Sequence, residues 1–325
     1  MDHSMNTNNQ AFSRRSFLAG AVGASTMALA STTPIAQAQA QNVAASPTVT
    51  LFSKHLGWMG YEELADTVAE LGFDGVDLTV RPGGHVNPER VDEELPRAVE
   101  ILRSAGLKVP QITTRILTRE TPHCEDILRV ASALDIQYFR YGYFKYDQDQ
   151  PLTEQLAPLR DQLKDLAGMC AHYGIQGGYH NHSGWGNVGS AIWDLNWILD
   201  GVAPEWLGSN LDLGHIFAEG SRGAWWVNYQ LIKPRIKMSA VKDFAWVPDP
   251  DGGFDSTFPP LGEGLVRFTD ILALMKEDGF AGPFSIHQEY PIEGDDDAAR
   301  KQNRIEALRR DLQTFRGCLR EVDWA

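Results

Sequence analysis

Cysteine is scarce. Cys124, Cys170 and Cys318 are odd in number, far apart and without C-x-x-C spacing. This argues against a disulfide framework or a zinc cluster and leaves buried apolar thiols on helices. No G-x-G-x-x-G follows the first strand-like run, so dinucleotide binding is disfavoured. No serine stands in a G-x-S-x-G elbow, and no cysteine lies near the histidine-rich segments, which weakens a nucleophile-based mechanism. Basic residues are also few. Lys and Arg total 29 against 43 Asp and Glu, a net charge of −14 over 325 residues. An acidic surface repels phosphate backbones, so nucleic acid is not an expected partner, and highly anionic substrates are disfavoured. Repeats, low-complexity tracts and linkers are missing after residue 47.

One apolar run does occur, from Phe17 to about Ala30, but it is short and rich in Ala, Gly and Ser, unlike a membrane span. Ser13-Arg14-Arg15-Ser16-Phe17-Leu18 precedes it, and A-x-A sites follow at 36–38 and 38–40. Twin arginines, an apolar stretch and a small-residue site in that order define a Tat-type signal. Residues 1–40 are therefore expected to be a signal and cleavage region, with the Tat export machinery as partner. Residues 41–325 are expected to be one domain, periplasmic or secreted. Without residues 1–40 the charge is about −15.

From residue 48 onward strand-like and helix-like segments alternate. Strands are expected at 48–52, 75–80, 108–115, 136–141, 175–182, 207–212, 236–242 and 283–290. Helices are expected at 61–71, 91–105, 123–134, 152–173, 190–199, 225–232, 268–278 and 296–321. Eight of each in strict alternation argue for an α/β fold, a closed (β/α)8 TIM barrel of a single domain. The segment 245–264, rich in Pro, Asp and Gly, follows the seventh strand and is expected over the barrel mouth.

Four strands end in ionisable side chains. The segment 175–184, Ile-Gln-Gly-Gly-Tyr-His-Asn-His-Ser-Gly, places His180 and His182 on one face by alternation. Asp212 and His215, Lys242 and Asp243, and His287 and Glu289 follow at later strand ends. Strand parity points Asp77, Thr113, Arg115, Arg140, His180, His182, Asn210, Asp212, Lys242, His287 and Glu289 toward the mouth, with His215 on the loop beyond. Carboxylates and imidazoles in this mixture can bind a divalent metal or move protons near neutral pH. Asp77, Arg140 and His215 are candidates for substrate contact. Trp185 and Trp246 join them, because aromatic faces stack on the C–H faces of sugars.

The chain resembles the xylose isomerase-like TIM-barrel superfamily, the sugar phosphate isomerase/epimerase group. The resemblance spans about residues 48–322. It rests on Gly-Phe-Asp-Gly-Val-Asp-Leu (72–78), Tyr-His-Asn-His (179–182), Leu-Asp-Leu-Gly-His (211–215), Val-Lys-Asp (241–243), Leu-Gly-Glu-Gly (261–264) and His-Gln-Glu-Tyr (287–290). It implies a divalent Mn, Mg, Co or Zn ion held by Glu, Asp, His and Glu at the ends of strands five to eight. Asp212 and Glu289 match that pattern. His180 replaces the fifth-strand Glu, and Ala240 replaces the seventh-strand His. The ligand set implied here is His180, Asp212, His287 and Glu289.

The resemblance implies an enzyme that takes a proton next to the carbonyl of a sugar or keto-sugar, an isomerase or epimerase. Its partner is a small-molecule carbohydrate. Glu289 and His182 are the expected proton-transfer groups and Lys242 the expected oxyanion stabiliser. A keto-glycoside lyase or hydrolase acting by β-elimination is an alternative on the same fold. A non-catalytic periplasmic sugar-binding protein is a second alternative, favoured by Ala240 and His180.

Overall fold

Two related patterns, Gly-Phe-Asp-Gly at 72–75 and Gly-Phe-Ala-Gly at 279–282, show how each helix turns into the next strand. Gly72 sits in the left-handed region at φ 86° and ends helix α1 (Tyr61–Leu71). Gly75 starts the next strand so close to the backbone carbonyl of Lys108 that any side chain would collide with it. The first glycine supplies the turn, and the second lets neighbouring strands approach.

The structure is a computed structural model that describes residues 46–221 and 223–325. The expected signal, residues 1–40, lies outside the described residues. Eight parallel strands close into a barrel in the order β1, β10, β7, β6, β5, β4, β3, β2. They are β1 (Val49–Phe52), β2 (Gly75–Thr79), β3 (Lys108–Thr113), β4 (Tyr138–Tyr141), β5 (Gln176–His180), β6 (Leu207–Asp212), β7 (Ile236–Val241) and β10 (Phe284–Ile286). Besides α1, the helices are α2 (Val91–Ser104), α3 (Cys124–Ala133), α4 (Leu152–Tyr173), α5 (Trp193–Leu199), α6 (Leu213–Gly220), α7 (Ala224–Ile232), α8 (Phe268–Glu277) and α9 (Asp297–Glu321). The fold is thus the expected single-domain (β/α)8 barrel.

Alternation divides each strand between two environments. Leu51, Val76, Leu78, Ile112, Phe139, Leu211 and Ile286 are buried in the apolar core shared with the helices. Thr50, Asp77, Gln111, Thr113, Asn210, Asp212 and Ser285 are equally buried but lie on the alternate positions that line the barrel. On α9 Leu308, Leu312, Phe315 and Leu319 are buried, and Ile305 is partly so. Each full burial of this kind stabilises the fold by about 1.5–3 kcal/mol. Cys124 and Cys170 are buried free thiols, as expected, whereas Cys318 is half-buried.

Three local differences matter for the site. Residues 213–220 form helix α6 where a loop was expected, because Asp212 caps it by accepting the His215 N–H at 2.8 Å. Within 245–264 a two-stranded antiparallel hairpin forms from β8 (Ala245–Pro248) and β9 (Phe254–Thr257). The last barrel strand stops at Ile286, so His287 and Glu289 stand beyond its end. No described helix is long and apolar enough to cross a membrane.

Candidate active site

Adjacent strand ends are first locked to each other. Asn181 points away from the mouth and clamps Asp212 through its backbone. Its Oδ1 accepts the Asp212 N–H at 2.7 Å, and its Nδ2 donates to the Asp212 carbonyl at 3.3 Å. Asp243, beside Lys242, also faces away and accepts N–H groups from Phe244, Gly262, Gly264 and Val266 at 2.8–3.0 Å. A side chain at Gly264 would strike that carboxylate. The Val-Lys-Asp and Leu-Gly-Glu-Gly motifs are thus one unit that fixes the base of the loop after β7. Lys242 alone is directed into the barrel.

Within this frame His180 from β5, Asp212 from β6 and His287 after β10 converge. One ligand atom from each lies within 4.8 Å of the others, and all three residues are buried. Both ring nitrogens of His287, Nδ1 of His180 and Oδ2 of Asp212 are buried without a hydrogen-bond partner among the described residues. Buried polar groups are rarely left unpaired, and these four lie in one place. Two imidazoles and a carboxylate fit a divalent cation. Burial holds both imidazoles neutral, with pKa well below the usual value, which suits metal ligation. It also pushes Asp212 up to about 6 against the pull of Lys242 and the cap. Phe52 stacks on His287 at 4.4 Å and fixes its plane.

Glu289, the fourth implied ligand, is not brought into this cluster. It stands at the rim with its side chain 26% exposed and accepts from Lys242 Nζ at 2.9 Å. Alternation ends with β10, so residues 287 and 289 do not share the face that strand parity assigned them. The Lys242 ammonium also lies 3.4 Å from Asp212 Oδ2, an ion-pair contact without hydrogen-bond geometry. It donates to His215 Nε2 at 2.6 Å and sits 4.3 Å from the centre of the Phe258 ring. The other His215 nitrogen, Nδ1, meets Ser183 Oγ at 2.5 Å. His215, in the first turn of α6 and not on a loop, therefore has both nitrogens occupied and positions Lys242.

His182 lies just beyond β5, half-buried between the rings of His215 at 4.1 Å and Tyr143 at 5.0 Å. Its Nδ1 donates to the Ser183 carbonyl at 2.9 Å. That fixes the tautomer and leaves Nε2 as an unprotonated acceptor. Burial lowers its pKa, so it stays neutral near neutral pH. Lys242 pulls Glu289 the other way, down to about 2 despite desolvation. His182 and Glu289 line a mouth cavity of about 540 Å³ together with Lys54, His55, Trp58, Gln288, Tyr290 and Arg304.

The remaining candidates divide. Arg140 reaches the mouth from β4 and packs its guanidinium 5.6 Å from the Phe52 ring centre. Asp77 is deeper and committed, accepting from Thr113 Oγ1 and Ser285 Oγ at 2.8 Å each. It forms no ion pair with Arg140 and ties strands across the barrel. Trp185 is 81% exposed. Trp246 lies on the hairpin, where it lines a separate cavity with Phe254. Lys54, His55 and Phe258 were not foreseen. The first two occupy a short 3-10 turn, Ser53–Leu56, where β1 ends without a recognisable motif. The paired polar residues Lys54-His55 at a strand end were their only signal.

The fold and site define a (β/α)8 barrel whose mouth is lined by metal-competent and proton-accepting groups. The chain belongs to the xylose isomerase-like TIM barrel family, whose model matches residues 65–316. Among solved structures it is similar to a xylose isomerase-like TIM barrel protein from Mycobacterium smegmatis in complex with magnesium. That match has 19% identity and TM-score 0.57, over 78% of this chain and 89% of the other. It is also similar to D-psicose 3-epimerase with D-tagatose from Clostridium cellulolyticum H10, at 11% identity and TM-score 0.62, over 84% and 99%. The probable 3-DHS dehydratase AsbF of Bacillus anthracis matches at 17% identity and TM-score 0.57, over 80% and 97%. No curated protein matches the chain.

Proposed function

We propose that the protein is an enzyme that enolises a sugar or keto-sugar by removing the proton next to its carbonyl. The observation that carries this reading is the buried His180–Asp212–His287 cluster, with unpaired ligand atoms beside an uncommitted imidazole acceptor. A divalent ion held by these three residues would polarise the carbonyl and stabilise the enediolate oxygen. His182 lines the mouth and takes the proton on Nε2, since Nδ1 is anchored. Glu289, drawn down by Lys242, is a weak base and serves to orient the ammonium. Lys242 donates to the developing oxyanion, held in place by His215 and Ser183. Folded-state export through residues 1–40 to the periplasm or beyond belongs to the same proposal.

The sidedness of the site bears on the outcome. Epimerisation needs a proton donor on each face of the enediolate. This mouth offers one uncommitted base, because His180 stands where the family has a glutamate. That observation favours β-elimination from a keto-glycoside as the second reading. Incubation of the metal-loaded protein with keto-sugars and keto-glycosides in deuterated water tests both. Deuterium at the carbon next to the carbonyl supports enolisation, and release of the aglycone supports elimination. Tight sugar binding with neither outcome would make the protein a binder.

A further inference from the structure

The mouth is not charge-balanced on the side of β2 to β4. Arg140 is only 9% exposed, and its Nε is buried without an acceptor. Arg81, after β2, brings its guanidinium 5.5 Å from the same Phe52 ring that Arg140 approaches at 5.6 Å. Arg115, at the end of the neighbouring β3 segment, lines a cavity of about 400 Å³ with Arg81. Among the described residues no carboxylate forms an ion pair with any of the three, and none of their guanidinium groups donates a hydrogen bond to protein. The nearby carboxylates are already used. Asp77 is held by two hydroxyls, and Asp212 and Glu289 face Lys242. Burial and mutual repulsion lower the pKa of Arg81, and burial lowers that of Arg140. A guanidinium stays charged even so, and a buried charge without a partner is costly.

Building on the reading of the mouth as a sugar site, we propose that Arg140 and Arg81 receive an oxyanion carried by the substrate, a carboxylate or a phosphate. The substrate class is then an acidic carbohydrate. The fork of a guanidinium matches either oxyanion in a bidentate fashion. Phe52 stacks on His287 and has both guanidinium groups within 5.6 Å of its ring centre. The bound anion therefore sits next to the His180–Asp212–His287 cluster, with the sugar carbonyl within its reach. The acidic net charge does not oppose this, because the field in a cleft is set by the groups that line it.

Calorimetric titration of the full chain with D-glucuronate, D-glucose 6-phosphate and D-glucose tests the proposal. At least one of the anions should bind about 10- to 100-fold more tightly than D-glucose. Added salt should erode that preference. A preference for the carboxylate identifies a sugar acid, and one for the phosphate identifies a sugar phosphate. Arg140→Gln and Arg81→Gln should each bring the ratio toward unity. Arg81 lies nearer the rim, so its variant keeps the test valid if Arg140→Gln fails to fold. If neither anion binds more tightly than D-glucose, or if Arg81→Gln keeps the full preference, the proposal is wrong. Anion preference without solvent exchange would remove the proposed reaction and leave this site standing.

Discussion

The two sides of the barrel mouth treat buried charge differently. On the β5–β7 side, Lys242 is surrounded by Glu289, Asp212 and His215, and atoms of His180, Asp212 and His287 are buried without a hydrogen-bond partner among the described residues. On the β2–β4 side the carboxylate, Asp77, is satisfied by hydroxyls while the guanidinium groups are not. On the reading proposed above, the first side takes a cation and the second an anion. A ligand that bridges them must therefore carry negative charge at one end and an oxygen that can meet a cation at the other. Overall composition hides this, because −14 is a sum over the surface.

The contrast breaks most sharply at Asp212. Asp212→Asn keeps an acceptor for the helix cap but loses the charge. Bound divalent metal, measured by elemental analysis, should fall from about one per chain toward none, and solvent exchange should drop by about 10²–10³-fold. Full metal content in this variant would show that the β5–β7 side is not a metal site. His182→Ala is expected to lower turnover by about 10²–10⁴-fold. Glu289→Gln loses a rim ion pair and should cost less than about tenfold. Equal losses would return the base role to Glu289, as the sequence suggested.

A separate effect, on stability and not on turnover, concerns the scaffold behind Tyr290, outside both sides. Burial raises Asp311 from 3.8 to about 6, although it accepts from Tyr290 and the Leu261 N–H. The folded state then binds the proton more tightly than the unfolded one. Stability from this group is greatest below about 4 and is lost as pH rises to about 6. The change is on the order of 1–3 kcal/mol. Asp311→Asn should flatten the denaturation midpoint over that window, and an unchanged slope would assign it elsewhere.

Much of the barrel was legible because its strands are apolar on one face and its helices stop at glycines such as Gly72 and Gly174. Helix α6 was not. Leu213-Gly-His-Ile-Phe-Ala carries no helical stripe of its own and was expected as a loop, and the Asp212 cap starts the helix. The hairpin was hidden because Pro, Asp and Gly dominate around two four-residue strands. In the site, His180 and Asp212 follow from parity, since both end regular strands. Glu289 does not, because alternation carries no information once a strand has ended. The unpaired arginines were visible as residues, but their lack of partners is a property of the packed mouth alone.

Asp212 divides its two oxygens between tasks. Oδ1 starts helix α6, and Oδ2 faces the cluster. The helix cannot rotate or slide without dragging the carboxylate, and the carboxylate cannot swing without releasing the helix. His215, one turn in, carries the same constraint to Lys242. The cluster and the ammonium thus behave as one stiff part, so distance between them is set when the chain folds and not when ligand arrives. Lengthening the side chain by one methylene, Asp212→Glu, would uncouple them.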